Sequence, residues 1–418
     1  MTSTTTSGTV GASAPDGARR WAVALCWLAV ALDGFDLVVI GAVIPVLSKS
    51  GDLGFTDASL TTASTVGLVG VGIGAVTIGP LTDRFGRRRS VIACVVWFSL
   101  LTLATAFAGS VAAFTVLRFV AGLGLGAVLP TALAYMSEDA RPGRNGTAVT
   151  RVMTGYHVGA VLTALLALWL IDAVSWRAMF VVGGVAGLLV VPLMWAKLPE
   201  SQSYLRSVEG REQHAKEVAA RTSQVFRGRY LPISIGICVA SFMGLLLVYG
   251  LNTWLPKIMG EAGYSIQAGT GLLLVLNIGA VLGLLGAGLI SDARGNKATV
   301  LLWFSLAAVF LALLSIKLHS TALVYAAVLL CGVFVFSSQV LVYAFVGHLF
   351  PPEVRGTALG MSAGVGRVGA IVGPSLGGAM VTAGIAYPWG FYAFAAAAAV
   401  AVVALVTVPA HVAEPLTA

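Results

Sequence analysis

The sequence predicts an all-α membrane protein, with twelve transmembrane helices in two pseudo-symmetric six-helix bundles. Three observations carry that prediction. Hydrophobic residues make up 58% of the 418 and charged residues only 10%, where a soluble domain carries about 45–50% and about 25%. Apolar runs recur along the chain, each long enough for a bilayer core that needs roughly 20 residues per helix. The second half also repeats motifs of the first. A β-barrel is excluded because the runs are continuously apolar and do not alternate. The same composition excludes a water-soluble enzyme and a disordered chain.

The elements follow in order. Residues 1–18 are small and polar and read as a disordered tail. The first apolar run, 21–47, is interrupted only by Asp33 and Asp36 before its polar end. Helices are then expected over 58–81, 90–109, 112–137, 147–171 and 177–197, which completes a bundle over 19–197. The longest polar stretch, 198–229, reads as a cytoplasmic linker. Six more helices are expected over 230–257, 268–291, 298–317, 321–348, 356–382 and 386–409, a second bundle over 230–410, followed by the tail 411–418. Cys26, Cys94, Cys238 and Cys331 lie in apolar runs at no metal-like spacing and read as small buried hydrophobes. No metal or other cofactor is expected.

Charge placement sets the expected orientation. With the N-terminus and the linker inside, 18 of the 25 Lys and Arg face inward and 4 face outward. The positive-inside rule then makes both termini cytoplasmic. The net charge of +8 is thereby explained by topology against an anionic leaflet. No nucleic-acid-binding module is found. Three basic residues are left inside the helices, namely Arg118, Arg151 and Arg367.

The internal repeat is read from two echoes. Gly79-Pro80-Leu81-Thr82-Asp83 and Gly288-Leu289-Ile290-Ser291-Asp292 both read G-x-x-x-D, 209 residues apart, and are followed by Gly86 and Gly295. Gly146-Thr147-Ala148 and Gly356-Thr357-Ala358 lie 210 apart, and eleven residues after each Gly stand His157 and Arg367. Repeats in matching membrane positions place a transporter's binding site between the halves, near the midplane.

These features resemble the major facilitator superfamily over essentially the whole chain. Gly79-Pro80-Leu81-Thr82-Asp83-Arg84-Phe85-Gly86-Arg87-Arg88-Arg89 matches its G-x-x-x-D-R-x-G-R-R loop, and Arg118-x-x-x-Gly122 matches a second motif. The copy at Asp292 is weaker, with Ala293 where the first has Arg84. The resemblance implies a breakable latch built from Gly79, Asp83, Arg84, Gly86, Arg87 and Asp292, with Glu138 and Arg355 as gating residues at inner helix ends. Asp33-Gly34-Phe35-Asp36 resembles the D-G-x-D of the aromatic acid:proton symporter family. Thr154-Gly155-Tyr156-His157 and Tyr249-Gly250-Leu251-Asn252-Thr253-Trp254 look most like its benzoate-permease branch.

Ionisable groups inside a membrane are expensive and mark a pathway by default. Asp33 and Asp36 fall on one helix face at i,i+3. Two neighbouring carboxylates disfavour double ionisation, so one is expected to take up a proton. Arg118 cannot deprotonate and is their expected partner, which makes Asp33, Asp36 and Arg118 the proton-coupling candidates. A planar guanidinium suits bidentate carboxylate binding, so Arg367 is a substrate candidate with its repeat counterpart His157. Flat apolar walls with a few polar groups suit an aromatic cargo. Tyr249, Asn252 and Trp254 on the seventh helix, and Gln339 and Tyr343 beside Phe336 on the tenth, supply both. The expected function is import of a monocyclic aromatic carboxylate, benzoate or a hydroxybenzoate, by proton symport in a bacterial plasma membrane. The expected partners are that small molecule, protons and the lipid bilayer, and a monomer is expected to suffice. The competing readings are a proton-coupled carrier of a sugar acid or dicarboxylate, and a drug exporter. The exporter is disfavoured because the fifth helix has no proline.

Overall fold

The computed structural model describes residues 16–139, 145–200, 228, 230–317, 320–350 and 352–410. Among them the chain forms twelve long α-helices and no strand. They are α1 (Asp16–Ser50), α2 (Asp57–Phe85), α3 (Arg87–Thr105), α4 (Val111–Asp139), α5 (Asn145–Ala173) and α6 (Trp176–Lys197), then α7 (Tyr230–Glu261), α8 (Ile266–Arg294), α9 (Asn296–Leu314), α10 (Thr321–Leu349), α11 (Pro352–Thr382) and α12 (Ala386–Thr407). In lipid every backbone polar group must be satisfied internally, which leaves helices as the economical form for such apolar segments.

The helix lengths repeat between the halves. The pairs α2/α8 and α4/α10 have 29 residues each, α3/α9 have 19 and α6/α12 have 22. The turn geometry repeats too. Gly86, between α2 and α3, has φ 92° and ψ 148°, while Gly295, between α8 and α9, has φ 86° and ψ 147°. That region is essentially reserved for glycine. It explains why α3 and α9 start at Arg87 and Asn296, before the expected 90 and 298, since each begins directly after its glycine. α1 also starts early, at Asp16, within the stretch expected as a tail.

Packing inside each bundle relies on small residues. A Cβ at Gly159 of α5 would stand 1.9 Å from the Ala31 carbonyl oxygen of α1, and one at Gly369 of α11 would stand 2.0 Å from that of Phe242 in α7. A Cβ at Gly74 of α2 or Gly283 of α8 would likewise stand 2.0 or 2.2 Å from the Leu123 or Val333 carbonyl oxygen of α4 or α10. Backbones in lipid gain most by such close approach. Among the described residues, eleven helices are long and apolar enough to cross a membrane. In α11, glycines and Arg367 replace part of the aliphatic side chains, and it is built to pack against α7.

The bundles meet along α2–α11, α5–α8 and α1–α7. Among the described residues, polar contacts between them gather toward the end that carries the α1–α2 connection. Lys257 Nζ of α7 donates to Ser48 Oγ of α1 at 2.7 Å and pairs with Asp57 Oδ1 of α2 at 3.3 Å. Gln267 of α8 donates to Asp172 of α5 at 3.1 Å, and the Thr65 and Ser375 hydroxyls meet at 3.0 Å. At the same end, Asp52 accepts from the Trp176 indole and from Arg177, both at 2.8 Å. The Trp176 and Arg177 hydrogen bonds hold its carboxyl below the ordinary carboxylate range.

Candidate functional site

Halfway along α1, Asp33 and Asp36 project from successive turns and are both buried. Their surroundings differ. Asp36 is held by Arg118 of α4 through two parallel bonds, Nη1 to Oδ1 at 3.1 Å and Nη2 to Oδ2 at 2.8 Å. Nη2 also reaches the Asp36 carbonyl at 3.0 Å, and Thr102 of α3 donates to Oδ1 at 2.6 Å. The Phe180 ring of α6 lies 5.7 Å from the guanidinium carbon. Four helices of the first bundle thus converge on one ion pair, in which only the Arg118 Nε is left without a hydrogen bond among the described residues. Such a fork-to-fork pair is short and geometrically specific.

Asp33 has no such partner. It is 2% exposed, and its Oδ1 has no hydrogen bond among the described residues. Asp33, Tyr156 of α5, Tyr249 of α7 and Arg367 of α11 lie within electrostatic reach of one another. Arg367 Nη1 donates to the Tyr249 hydroxyl at 3.2 Å, and Tyr343 of α10 also falls within the Arg367 field. Arg367 is half-buried, so its remaining donors stay available to a ligand.

A narrow cavity of about 20 Å³ runs beside this group. Arg118, Tyr156, Tyr249, Asn252 and Thr253 supply its polar lining, and Leu37, Ile40, Leu68 and Leu125 part of its apolar wall. Next to it, Asn277 of α8 donates to Asn252 Oδ1 at 3.0 Å. The His157 ring of α5 packs edge-on against Phe336 of α10, with centroids 5.2 Å apart, and stands next to the Asn277 amide. Among the described residues Asn252 Nδ2 has no hydrogen-bond partner, while His157 interacts with the Asn277 side chain and the Tyr156 hydroxyl with that of Tyr249. Buried polar groups are normally satisfied, so this open amide N–H, together with the unbonded Asp33 Oδ1, marks a place where a polar ligand would sit.

The structure therefore brings together Asp33, His157, Tyr249, Asn252, Tyr343 and Arg367 around the bundle interface, and Asp36 with Arg118 beside it. Gln339 is buried near them, donating to Ser241 at 3.4 Å with its Oε1 unpartnered. Trp254 is different. It is fully buried, its indole N–H is spent on the Pro374 carbonyl at 2.7 Å, and its ring packs where Gly377 leaves room. It anchors α7 to α11 and does not line the cavity. Sequence reasoning passed over Asn277 and Thr102, and named Tyr156 only within the family resemblance. Asn277 carried a usable signal as a lone amide in a long apolar run.

Of the expected latch, Gly86 makes the α2–α3 turn described above. Arg87 is partly buried beside it. Arg88 reaches across to α6, where its guanidinium donates to the Trp195 carbonyl and lies 5.8 Å from the Trp195 ring. The side chains of Asp83, Arg84, Glu138, Arg151, Asp292 and Arg355, and the surroundings of Gly79, lie outside the described residues, as does most of the linker.

Two six-helix bundles around a cavity with buried, unpaired charge define a solute carrier. The chain belongs to the major facilitator superfamily: the model of that family matches residues 26–289 and 271–418. It is 35% identical to the gentisate transporter of Corynebacterium glutamicum, over 93% of this chain and 87% of that protein. To the benzoate transport protein of Acinetobacter baylyi it is 30% identical, over 92% and 88% of the two chains. Its fold is similar to the partially occluded, inward-open xylose transporter XylE from E. coli, with TM-score 0.74 and 17% identity over 93% of this chain and 97% of that one.

Proposed function

We propose that this carrier imports a monocyclic aromatic carboxylate together with a proton. The observation that carries this reading is the Asp33–Arg367 pair of charges at the cavity, neither locked into an ion pair as Asp36 and Arg118 are. An unpaired buried carboxylate is costly as an anion, so Asp33 gains from taking a proton. Once it does, the positive charge of Arg367 is no longer offset and is free to hold the carboxylate of a cargo. Proton and anion are thus loaded together, and each disfavours the site's holding the other's counter-charge alone. Tyr249, Tyr156 and Phe336 supply ring faces for an aromatic body. The gentisate and benzoate carriers among its relatives support this cargo class over a sugar acid or dicarboxylate, and Arg367, the one cation of this group outside an ion pair among the described residues, suits one carboxylate.

In this reading the first bundle is 19–197, the linker 198–229 is cytoplasmic, the second bundle is 230–410, and both termini face the cytoplasm of a bacterium. The Lys257 contacts then close the outer side. The carrier works as a monomer in the plasma membrane, with Gly79, Asp83, Arg84, Gly86, Arg87 and Asp292 as the inner latch and Glu138 and Arg355 as gating groups.

Uptake of labelled benzoate and 4-hydroxybenzoate into proteoliposomes tests the proposal. Accumulation is expected only with an inward proton gradient. Uptake indifferent to the gradient would overturn symport, and no uptake of any aromatic acid would overturn the cargo class. Arg367→Lys is expected to weaken aromatic-acid binding about tenfold, because an ammonium cannot form the two-pronged bond. Titration calorimetry checks this, and unchanged affinity would leave Arg367 only its bond to Tyr249.

A further inference from the structure

We infer that the cleft at the α8–α9 turn binds the phosphate of an anionic phospholipid headgroup. The internal repeat points to it. In the first half, the Arg88 backbone N–H, in the first turn of α3, donates to Glu200 Oε1 at 3.0 Å. The Arg88 guanidinium donates to the Trp195 carbonyl near the end of α6. The second half copies only part of this arrangement. Lys297 stands 209 residues after Arg88, in the first turn of α9, and its Nζ donates to the Val406 carbonyl near the end of α12 at 3.2 Å. The carboxylate has no copy. Leu198-Pro199-Glu200 follows α6, and Val408-Pro409-Ala410 follows α12, 210 residues on. A methyl group therefore stands where the first half has its anion.

What borders Ala410 instead is a cleft of about 600 Å³. Arg294 from the end of α8, Lys297 from α9 and His348 from the last turn of α10 line it, and no acidic residue is among its described lining. The start of a helix adds its own attraction for an anion. A phosphate supplies the missing negative charge and accepts hydrogen bonds from both Arg and Lys. Its source follows from where the cleft sits. The cleft lies at the ends of two apolar spans, Gln267–Ser291 and Asn296–Leu314, which is the level of the headgroups. Leu301 forms part of its wall, and Leu289 and Leu302, farther along α8 and α9, are exposed. A lipid can lay its chains along these residues while its phosphate fills the cleft, whereas a free phosphate leaves them unused. Basic pockets between membrane helices hold anionic headgroups in this way. On the orientation proposed above, the lipid belongs to the cytoplasmic leaflet.

The test is titration calorimetry of the purified, delipidated full-length carrier in detergent with short-chain phosphatidylglycerol. Zwitterionic phosphatidylcholine is expected to bind at least about fivefold more weakly, and Arg294→Gln and Lys297→Gln each to weaken phosphatidylglycerol about fivefold. Ala410→Glu, which restores the first-half pattern, is expected to weaken it at least as much. Lys317→Gln removes the same charge from an exposed position beyond the other end of α9 and is expected to change nothing. Thermal unfolding of the same samples reports whether each variant is folded. Equal binding of the two lipids, or an equal loss in Lys317→Gln, would overturn the site. Displacement of phosphatidylglycerol by an equal concentration of inorganic phosphate would make the ligand a free anion and overturn the lipid assignment. So would binding that emerges only in Glu414→Gln, because the chain's own carboxylate, four residues past Ala410, would then hold the cleft.

Discussion

Asp33→Asn is expected to abolish proton-driven accumulation while sparing exchange of cargo across the membrane. The amide has nearly the shape of the protonated carboxyl, so it mimics the loaded state permanently. Arg367 then has no competing anion and can still hold the cargo carboxylate, but no proton travels with it. In proteoliposomes with a pH difference of about one unit, coupling one proton to one anion would support up to about tenfold accumulation. The variant is expected to reach only equal concentrations inside and out, with counterflow exchange retained. Accumulation at the wild-type level would remove Asp33 from the coupling step. Asp36 makes the informative contrast, since its carboxylate is already committed to Arg118 and Thr102.

The Asp36–Arg118 pair yields the second large effect, on folding. Both side chains are almost fully buried, at 2% and 3% exposed, and joined at 2.8 Å. Removing one partner of a buried pair costs about 3–5 kcal/mol, because the other charge is left uncompensated. Arg118→Leu is therefore expected to lower the folded yield and the thermal unfolding temperature sharply. The double change Arg118→Leu with Asp36→Leu is expected to recover most of that loss, since a well-packed apolar pair of similar volume is often as stable as the ions it replaces. Thermal unfolding of detergent-solubilised protein checks both. A single variant as stable as the wild type would mean that the pair does not hold α1 to α4.

Much of this architecture is legible in the residues. Composition and apolar runs suffice for twelve helices because the bilayer leaves so few alternatives. The echo of Asp83 in Asp292 located the repeat, and the matched glycine turns at 86 and 295 are its physical form. The rule that a buried charge needs a reason selected Asp33, Asp36, Arg118 and Arg367. What it does not reveal is which partner each one finds. Asp33 and Asp36 share a helix face and differ only through what α3, α4 and α11 bring to them, and that is set by tertiary packing. Trp254 shows the same limit. An aromatic beside Asn252 suits a cavity wall, yet its position on α7 turns it into the space left by Gly377. Asn277 was hidden by the opposite bias, since a neutral amide attracts less notice than a charge, though its desolvation is also costly.

The glycine seams bear on how such a carrier can change. Where a methyl group at Gly159 or Gly369 would overlap a neighbouring carbonyl, the helix faces have no slack, and neither has the crossing of α1 with α7, where a Cβ at Gly41 would stand 1.9 Å from the Asn252 carbonyl oxygen. Novelty in what is carried has to arise elsewhere. The cavity wall offers that freedom, because its side chains border empty space and can be exchanged without moving a backbone. Rigid seams and a permissive lining let one scaffold acquire new cargoes by a handful of substitutions while its mechanics stay inherited.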